Sequence, residues 1–263
     1  MDELSRPIVV GHRGFRAKYP ENTLIGFRAA VDAGVEMIEL DVTLSRDRHV
    51  VVMHDDTLDR TTNGKGPLRD TSWEDIRRLD AGSWFDVRFA GEPVPDLETV
   101  FQTIGKTCSI NVEIKADAVE NEDRPDAIEN QVAELIHQYG LHESVVVSSF
   151  HPLALKRLAA LPAHQRPLLA VLSGHRTSFD PLDLFRSLPA FSWHPHHRLL
   201  DAAAVRQAHR IGALVLPYTV NDPKDIGRVL QMGVDGIFTD DPVTVLRSLS
   251  RLIRPQRDDT VRS

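Results

Sequence analysis

Short runs of β-branched and apolar residues alternate along the chain with longer segments whose apolar residues recur at helical spacing. This alternation is typical of βα units and predicts a mostly parallel sheet covered by helices. The predicted strands are 8–11, 37–44, 49–54, 109–115, 144–149, 168–172, 190–193, 213–218 and 236–239. The predicted helices are 23–33, with Asn22 as N-cap, 127–139, 152–160, 201–211 and 223–231.

Nine strand candidates are one more than an eight-stranded barrel needs. Residues 45–48 supply the explanation, since a parallel crossover takes a dozen or more residues and the strands on either side must therefore pair antiparallel. The remaining strands predict an α/β fold, a distorted TIM (β/α)8 barrel. If the hairpin turn is centred between Arg46 and Asp47, Glu39 lies opposite His54, whereas a shift of one residue sends His54 to the other face.

Residues from 55 to about 95 fit no βα unit and are helical in pattern only near 73–79. A connection of this length is unusual in a compact domain and often functional, so we expect an insertion after the third strand that covers a site at its end. No break in composition divides the chain, which predicts a single domain over 1–263. The polar tail after Pro255 predicts no regular structure.

Composition is that of an ordinary globular protein, with 41% hydrophobic and 26% charged residues. A net charge of −7 argues against nucleic acid and anionic membranes as partners. The single cysteine, Cys108, suits a reducing compartment, and the acidic start lacks the features of a signal peptide. The sequence therefore predicts a cytoplasmic protein without a membrane anchor and gives no indication of its oligomeric state.

Three carboxylates lie among apolar residues on predicted strands. Glu39 and Asp41 share one face of their strand, and Glu113 and Lys115 share a face of another. A charge inside a barrel is costly unless it is paired or binds a metal. An all-oxygen set of Glu39, Asp41 and Glu113 is typical of Mg²⁺ or Ca²⁺ rather than Zn²⁺. The alternatives are a solvated outer face for Glu39 and Asp41, and a buried ion pair between Glu113 and Lys115.

Two histidines stand at the ends of predicted strands, where barrel enzymes carry catalytic groups. His12 ends the first strand and His54 ends the third. Cleavage of a phosphodiester needs one group to accept a proton and another to donate one, and both roles suit histidine. A lone histidine at a strand end is more often structural. Arg13 can bind phosphate oxygens through two hydrogen bonds, and His194 is expected to approach the site more closely than His196 or His197.

The ordered set of motifs resembles the glycerophosphodiester phosphodiesterase family from about Ile8 to Leu246. The motifs are Gly11-His12-Arg13-Gly14, Pro20-Glu21-Asn22-Thr23, Met37-Ile38-Glu39-Leu40-Asp41-Val42, Val52-Met53-His54-Asp55, Asn63-Gly64-Lys65-Gly66, Asn111-Val112-Glu113-Ile114-Lys115, Ser148-Ser149-Phe150, Tyr218-Thr219-Val220-Asn221 and 233–242. Each motif alone is weakly specific, whereas their order along one chain is a strong signal.

The resemblance implies a TIM barrel that hydrolyses glycerophosphodiesters to sn-glycerol 3-phosphate and an alcohol. It implies one divalent metal ion, Mg²⁺ or Ca²⁺, on the three carboxylates, and general acid and base roles for His12 and His54. Arg13 and Lys115 would hold the phosphate, and Phe150 and Tyr218 would contact the substrate. In the mechanism usually proposed for relatives, the glycerol 2-hydroxyl attacks phosphorus and water then opens the cyclic phosphate.

Two positions depart from the family pattern. Tyr218 replaces a tryptophan found in many members, which bears on the preferred head group, and Asp96 stands where threonine often precedes a helix. Two other functions stay open. A lysophospholipase D activity would need an apolar groove, which Trp84, Phe85 and Phe89 can supply. A non-catalytic barrel that binds phosphorylated ligands is disfavoured, because every expected catalytic position is filled.

Overall fold

Eight parallel strands and one antiparallel strand form a single sheet in the computed structural model, which describes residues 7–122 and 124–253 except for the side chains of 251–253. The strands are β1 Ile8–Gly11, β2 Met37–Leu44, β3 Val50–Val52, β4 Ser109–Ile114, β5 Val145–Ser149, β6 Leu168–Ser173, β7 Ser192–Pro195, β8 Leu214–Val215 and β9 Gly236–Thr239. The first six residues and the tail after Pro255, for which no regular structure is predicted, lie outside the described residues.

The parallel strands follow one another around a barrel in the order β8-β7-β6-β5-β4-β2-β1-β9. Backbone hydrogen bonds from Asp235 N to Val215 O (2.9 Å) and from Phe238 N to Pro217 O (3.0 Å) join the two ends. The predicted TIM barrel is therefore confirmed as a nearly closed barrel of eight parallel strands. The carboxyl ends of these strands meet at one face, where barrel enzymes place their sites.

Nine α-helices surround the barrel among the described residues. They are α1 Leu24–Asp32, α2 Trp73–Ile76, α3 Leu97–Ile104, α4 Ile128–Tyr139, α5 Pro152–Ala160, α6 Pro181–Ser187, α7 Ala202–Arg210, α8 Pro223–Gln231 and α9 Pro242–Ile253. The predicted helices are all present, but α3, α6 and α9 were missed. Helices α3 and α6 have only 8 and 7 residues, too few to establish a helical repeat from the sequence alone. Asp96 caps α3 as expected, since its carboxylate accepts a hydrogen bond from Thr99 N at 2.8 Å.

Strand β3 pairs antiparallel with β2, as predicted, but the predicted register is wrong by one residue. Val42 lies opposite Val52, whereas the predicted turn places Asp41 there. The reason is the turn, where Ser45 N donates to His49 O at 3.0 Å and Arg48 has a φ of 63°. A three-residue loop with a left-handed last residue replaces the expected two-residue loop. Because β3 ends at Val52, His54 lies beyond the strand, and strand alternation does not determine the direction of its side chain.

The inserted segment packs around a small core of its own. Two one-turn 3-10 helices, Leu68–Asp70 and Val87–Phe89, accompany α2. In this core the insertion's Leu58, Leu68, Ile76, Ala81 and Val94 pack with Val51 of β3 and Met53, which lies just after that strand. The insertion therefore has an apolar interior that fixes its position beside the end of β3. The assignment of the whole chain to a single domain stays a prediction.

Cys108 lies next to β4 and is half-buried. Its thiol donates to Val35 O at 3.8 Å, and burial raises its pKa to about 11. The thiol is therefore protonated at neutral pH and packs as a small apolar group. None of the helices that the structure describes combines the length and hydropathy required to span a bilayer. Cytoplasmic localisation stays a prediction.

His194 lies inside the barrel and is 1% exposed. Its Nε2 is 2.9 Å from Ser192 Oγ, its ring packs on Phe238, and its Nδ1 has no hydrogen-bond partner among the described residues. Burial alone lowers the pKa of His194 to about 3. The ring is therefore neutral in the folded protein at any pH near neutrality.

We predict that protonation of His194 contributes to acid unfolding. An unfolded histidine titrates near 6.5, so the unfolded state binds more protons as the pH falls from about 6.5 towards 3. The stability that the neutral ring contributes above pH 6.5 is lost over that window, by an upper limit of about 5 kcal/mol. Urea unfolding of wild type and His194→Gln between pH 7 and 4 measures this loss. His164→Gln, at an exposed turn residue, is the control, and equal pH slopes in all three proteins would contradict the prediction.

Candidate active site

The turn after β1 brings His12 and Arg13 to the carboxyl face of the barrel. Arg13 has a φ of 53°, and its N–H donates to Glu39 Oε2 at 2.8 Å. Gly14 follows with a φ of 85°, and a Cβ there would lie 2.7 Å from the backbone of Gly26. Only glycine combines that backbone conformation with such a close approach to α1. The turn is thus locked between α1 and the carboxylate of Glu39.

Three carboxylates converge at this face. Asp41 on β2 lies directly beside Glu113 on β4, and Glu39 lies two residues earlier on the same face of β2. Each residue offers an oxygen within 4.8 Å of the others. Glu39 and Asp41 are 2% and 1% exposed, which excludes the solvated outer face considered from the sequence. The predicted convergence of the three carboxylates is therefore present.

The three carboxylates lie close enough together to repel one another when they are ionised. Burial raises the pKa of Glu39 well above its usual value, and the charges of Asp41 and Glu113 raise it further. Burial and the charge of Asp41 likewise raise the pKa of Glu113 to about 7. A divalent cation would relieve this repulsion, and three carboxylates completed by water form a set that both Mg²⁺ and Ca²⁺ accept. The residues present therefore fit one such ion.

Two cations lie against the carboxylates. Arg13 Nε is 3.2 Å from Asp41 Oδ2, and Lys115 Nζ is 3.5 Å from Asp41 Oδ1 and 3.3 Å from Glu113 Oε1. Although burial opposes the charge on Asp41, Arg13 and Lys115 lower the pKa of its carboxyl group. The ion pair between Glu113 and Lys115, considered from the sequence as an alternative to a metal site, thus exists beside Asp41. Both basic groups therefore lie against the carboxylate cluster, and their binding of the phosphate stays a prediction.

His12 is held by an aspartate that the sequence did not single out. His12 Nδ1 is 2.6 Å from Asp240 Oδ1, and Asp240 also accepts from Asn221 Nδ2 at 2.8 Å. Since a carboxylate only accepts, Nδ1 carries the proton and Nε2 is left for the substrate. Burial lowers the pKa of His12, against the opposing effect of Asp240. The ring is therefore neutral and oriented at pH 7.

His54 has the same arrangement from the opposite side. Its Nδ1 is 2.7 Å from Asp55 Oδ1, and Asp55 is fixed by Arg60 Nε at 2.6 Å. Burial lowers the pKa of His54, whereas the charge of Asp41 raises it. The charges of Arg13 and Lys115 also lower it. His54 lines a small pocket with Glu21 and Asn22, and Asn22 donates to Asp41, so the ring lies beside the carboxylate cluster. Both histidines therefore present Nε2 and have a carboxylate behind Nδ1.

Glu21 joins the two sides of the site and was missed from the sequence as a site residue. Its side chain is 4% exposed and accepts from Arg13 Nη1 (2.8 Å), Arg16 Nε (2.9 Å) and Arg60 Nη2 (2.7 Å). Burial opposes its charge, but hydrogen bonding to Arg60 and the charges of the three arginines hold the pKa of Glu21 far below its usual value. Glu21 thus keeps Arg13 beside the carboxylate cluster.

We predict that Glu21→Gln destabilises the folded protein by about 3 kcal/mol, because it removes the buried carboxylate shared by Arg13, Arg16 and Arg60 and leaves Arg13 paired with Asp41 alone among the described residues. Urea unfolding at pH 7 measures the difference. Glu74→Gln removes an exposed carboxylate that pairs with Arg77 and Arg78, and we expect it to cost less than about 1 kcal/mol. Equal losses in the two variants would contradict the role given to Glu21.

Asn22 is a second missed residue, and its predicted role as the N-cap of α1 is wrong. Thr23 caps the helix, since its hydroxyl accepts from Gly26 N at 3.2 Å. Asn22 has a φ of 55°, and its side-chain Nδ2 donates to Asp41 Oδ2 at 2.9 Å. Asparagine tolerates left-handed backbone better than most residues. The motif that contains Asn22 is visible in the sequence, but the backbone conformation that directs its side chain to Asp41 is not.

Aromatic side chains border one edge of the site. Phe150 follows β5, and its ring packs edge-on against Tyr218, with centroids 5.9 Å apart. His196 packs against the same tyrosine, whereas His194 contacts Phe238 inside the barrel. The expectation that His194 approaches the site more closely than His196 or His197 stays a prediction. The substrate contacts of Phe150 and Tyr218 stay predictions.

This geometry defines the class of protein before any comparison. A parallel barrel presents three crowded carboxylates, two basic side chains and two aspartate-backed histidines at its carboxyl face. The cation-binding oxygens and the basic side chains suit a phosphate group, and the histidines suit proton transfer. The site is that of a barrel enzyme of the phosphoric diester hydrolase class.

Comparisons with known proteins agree with this class. The sequence model of the glycerophosphoryl diester phosphodiesterase family matches residues 12–244. The chain therefore belongs to that family. A glycerophosphodiester phosphodiesterase of Caldanaerobacter subterraneus subsp. tengcongensis is 37% identical over 242 residues, 92% of this chain and 97% of that protein. One of Bacillus altitudinis is 37% identical over 238 residues, 89% of this chain and 94% of that protein.

Solved structures show the same fold. An Oleispira antarctica phosphodiesterase, in complex with the product sn-glycerol-3-phosphate, superimposes with a TM-score of 0.84 at 29% identity and covers 93% of this chain and 97% of its own. A glycerophosphodiester phosphodiesterase from Agrobacterium tumefaciens gives a TM-score of 0.75 at 27% identity, over 92% of this chain and 99% of its own. The likeness extends over the barrel and the insertion together.

Proposed function

We propose that this chain hydrolyses glycerophosphodiesters to sn-glycerol 3-phosphate and an alcohol, with one divalent cation held by Glu39, Asp41 and Glu113. The observation that carries the proposal is the meeting of these carboxylates with two histidines whose Nε2 atoms are both available. The bound product of the Oleispira antarctica relative supports the same substrate class.

The cation would supply charge stabilisation at the phosphoryl oxygens as the reaction proceeds. Glu39 and Asp41 hold their positions without it, because Arg13 N–H and Asn22 Nδ2 donate to them. Arg13 uses Nη1 for Glu21, which leaves its other amino group, Nη2, for a phosphate oxygen. Lys115 Nζ adds a second positive charge at the same point. Arg13 and Lys115 thus bind the phosphate beside the carboxylates, and a cation held there would share this binding.

The two histidines move the protons. In the first step one ring, neutral with a free Nε2, accepts the proton of the glycerol 2-hydroxyl as its oxygen attacks phosphorus. The other ring enters this step as an imidazolium, protonated on both nitrogens, and its Nε2 donates a proton to the departing alcohol. In the second step the ring that is now neutral accepts a proton from water as the water attacks the cyclic phosphate, and the other ring returns a proton to the glycerol 2-oxygen as its bond to phosphorus breaks. Both rings then have their starting protonation. Asp240 and Asp55 stabilise the charged imidazole that forms in each step.

Release of sn-glycerol 3-phosphate from a panel of glycerophosphodiesters tests the proposal. The purified protein is treated with EDTA, and Mg²⁺ or Ca²⁺ is then added back separately. We expect no release before a metal is added and turnover after it, and the two arms identify the metal. Binding of the diesters without turnover in either arm would refute the proposal and favour the non-catalytic barrel.

A lysophospholipase D activity is the second candidate, favoured by the apolar surface of the insertion. Trp84 is 37% exposed and Val87 is 79% exposed. The guanidinium of Arg60, which fixes Asp55, lies over the Trp84 ring at 5.9 Å, so this surface borders the His54 side of the site. A parallel assay on glycerophosphocholine and lysophosphatidylcholine separates the two activities, and faster cleavage of the lysophospholipid would establish the second.

A further inference from the structure

A cavity of about 540 Å³ opens at the same face of the barrel, beyond the ends of β5 and β6. Its size falls within the range of small-molecule sites. Aromatic side chains form one part of the lining, namely Phe150, Phe179 and Tyr218, and the loop after β6 forms another, with Gly174, Arg176 and Thr177. The cavity is thus mostly apolar, with an aromatic part and a polar loop.

The cavity adjoins the carboxylate cluster. Ala116, which lines it, directly follows Lys115, and Tyr218 forms a wall shared with the site. Burial raises the pKa of Tyr218, and the charge of Glu113 raises it further. The Tyr218 hydroxyl donates to Ser173 O at 3.0 Å, which fixes the wall. A substrate whose phosphate binds at the carboxylates can therefore extend into this cavity.

The charge in the cavity is positive. Its lining contains Arg176 together with His151 and His175, and no aspartate or glutamate. Arg13, Arg16 and Arg60 are each paired with a carboxylate. Arg176 is exposed, and among residues 7–122 and 124–253 it has neither an ion-pair partner nor a hydrogen-bond partner. The guanidinium of Arg176 therefore keeps its positive charge at any pH used in an assay.

We infer that this cavity holds the alcohol part of the substrate, and that Arg176 selects uncharged polyhydroxylated alcohols against alcohols with a quaternary ammonium group. This rests on the proposed function, since the phosphate must bind at Glu113 and its neighbours. The alcohol is the part of a glycerophosphodiester that varies in size, and a cavity open to solvent accommodates such variation.

Hydrogen bonding and charge favour the same class of alcohol. A guanidinium offers five donors and no acceptor, which suits the oxygens of a polyol. The faces of Phe150 and Phe179 give its carbon atoms an apolar surface. Aromatic rings also attract quaternary ammonium groups, by about 0.5–1 kcal/mol at exposed sites. The unpaired positive charge of Arg176 opposes that attraction, and no lining carboxylate supports it.

Selectivity between two substrates with the same glycerol phosphate tests the inference. The value of kcat/KM is measured for glycerophosphoglycerol and for glycerophosphocholine at pH 8, where histidines carry little charge. We expect wild type to prefer glycerophosphoglycerol. Reversing the charge with Arg176→Glu lowers the ratio of the two values by about 10-fold, and Arg176→Ala lowers it by about 3-fold. A loss of activity that affects both substrates equally cancels in the ratio of their kcat/KM values.

Arg206→Glu is the matched control. Arg206 is exposed on α7, outside the cavity lining, and its substitution changes the net charge by the same amount as Arg176→Glu. We expect its ratio to stay within about 2-fold of wild type. A wild-type preference for glycerophosphocholine, or an equal ratio in wild type and Arg176→Glu, would overturn the inference while leaving the proposed function intact. Absence of hydrolysis of both diesters by wild type would instead refute the proposed function.

Discussion

Replacing His12 with alanine is expected to lower kcat by about 10³-fold, within the range typical of a lost acid or base. The imidazole is neutral, buried and fixed by Asp240 at 2.6 Å, so only Nε2 can exchange a proton with the substrate. Alanine leaves no group to replace it. His54→Ala is expected to cause a similar loss, because His54 has the equivalent support from Asp55. Steady-state kinetics with saturating metal measures both losses.

Two further variants complete this experiment: the double variant of His12 and His54, and a variant of a histidine outside the site. If the two rings act in one proton-transfer sequence, His12→Ala and His54→Ala together lose little more activity than either alone. His137→Ala, on the exposed side of α4, is expected to keep full activity. Thermal unfolding shows whether each variant is folded. Full activity in a folded His12→Ala or His54→Ala variant would remove that residue from the mechanism.

The sequence predicted the barrel because its strands are long enough to show their pattern. Strands β1, β2 and β9 begin and end at the predicted residues. Strand β8 has only two residues, Leu214–Val215. The segment still lies in place, since Leu216 N and Tyr218 N donate to Trp193 O and Pro195 O at 3.0 Å. The hydrophobic pattern therefore predicted where each strand lies along the chain better than it predicted the length of each strand.

The site was predictable as a set of carboxylates and histidines, but not as a network. Strand alternation put Glu39 and Asp41 on one face, and the parallel register put Glu113 beside them. The groups that orient the site come from turns instead. Glu21 and Asn22 precede α1, and Asp240 follows β9. Their side chains depend on backbone angles such as the φ of 55° at Asn22, which no residue pattern encodes.

The remaining prediction concerns the cation. Glu113→Gln is expected to lower kcat/KM at a fixed low metal concentration by at least about 10²-fold, because it removes one ligand oxygen and one negative charge. In the metal-free protein the same change is expected to preserve or increase the stability of the folded state. The buried Glu39 and Asp41 and the half-buried Glu113 repel one another there, and burial together with Asp41 raises the pKa of Glu113 to about 7.

The metal-free protein is therefore expected to lose stability as the pH rises from about 4.5 through 7, since ionisation of Glu113 is unfavourable in the folded state. Glu113→Gln removes this carboxylate and is expected to be as stable as wild type, or more so, in EDTA at pH 8. Added Mg²⁺ or Ca²⁺ then raises the Tm of wild type by binding only the folded state, and raises that of the variant much less.

Glu134→Gln, which neutralises an exposed carboxylate on α4, is the matched control and should respond to metal as wild type does. Thermal unfolding with and without metal therefore measures the site independently of catalysis. An equal rise in Tm for wild type and Glu113→Gln would place the cation elsewhere. Undiminished turnover by wild type in EDTA would show that the carboxylates serve Arg13 and Lys115 alone, and that the histidines act on the phosphate without a metal.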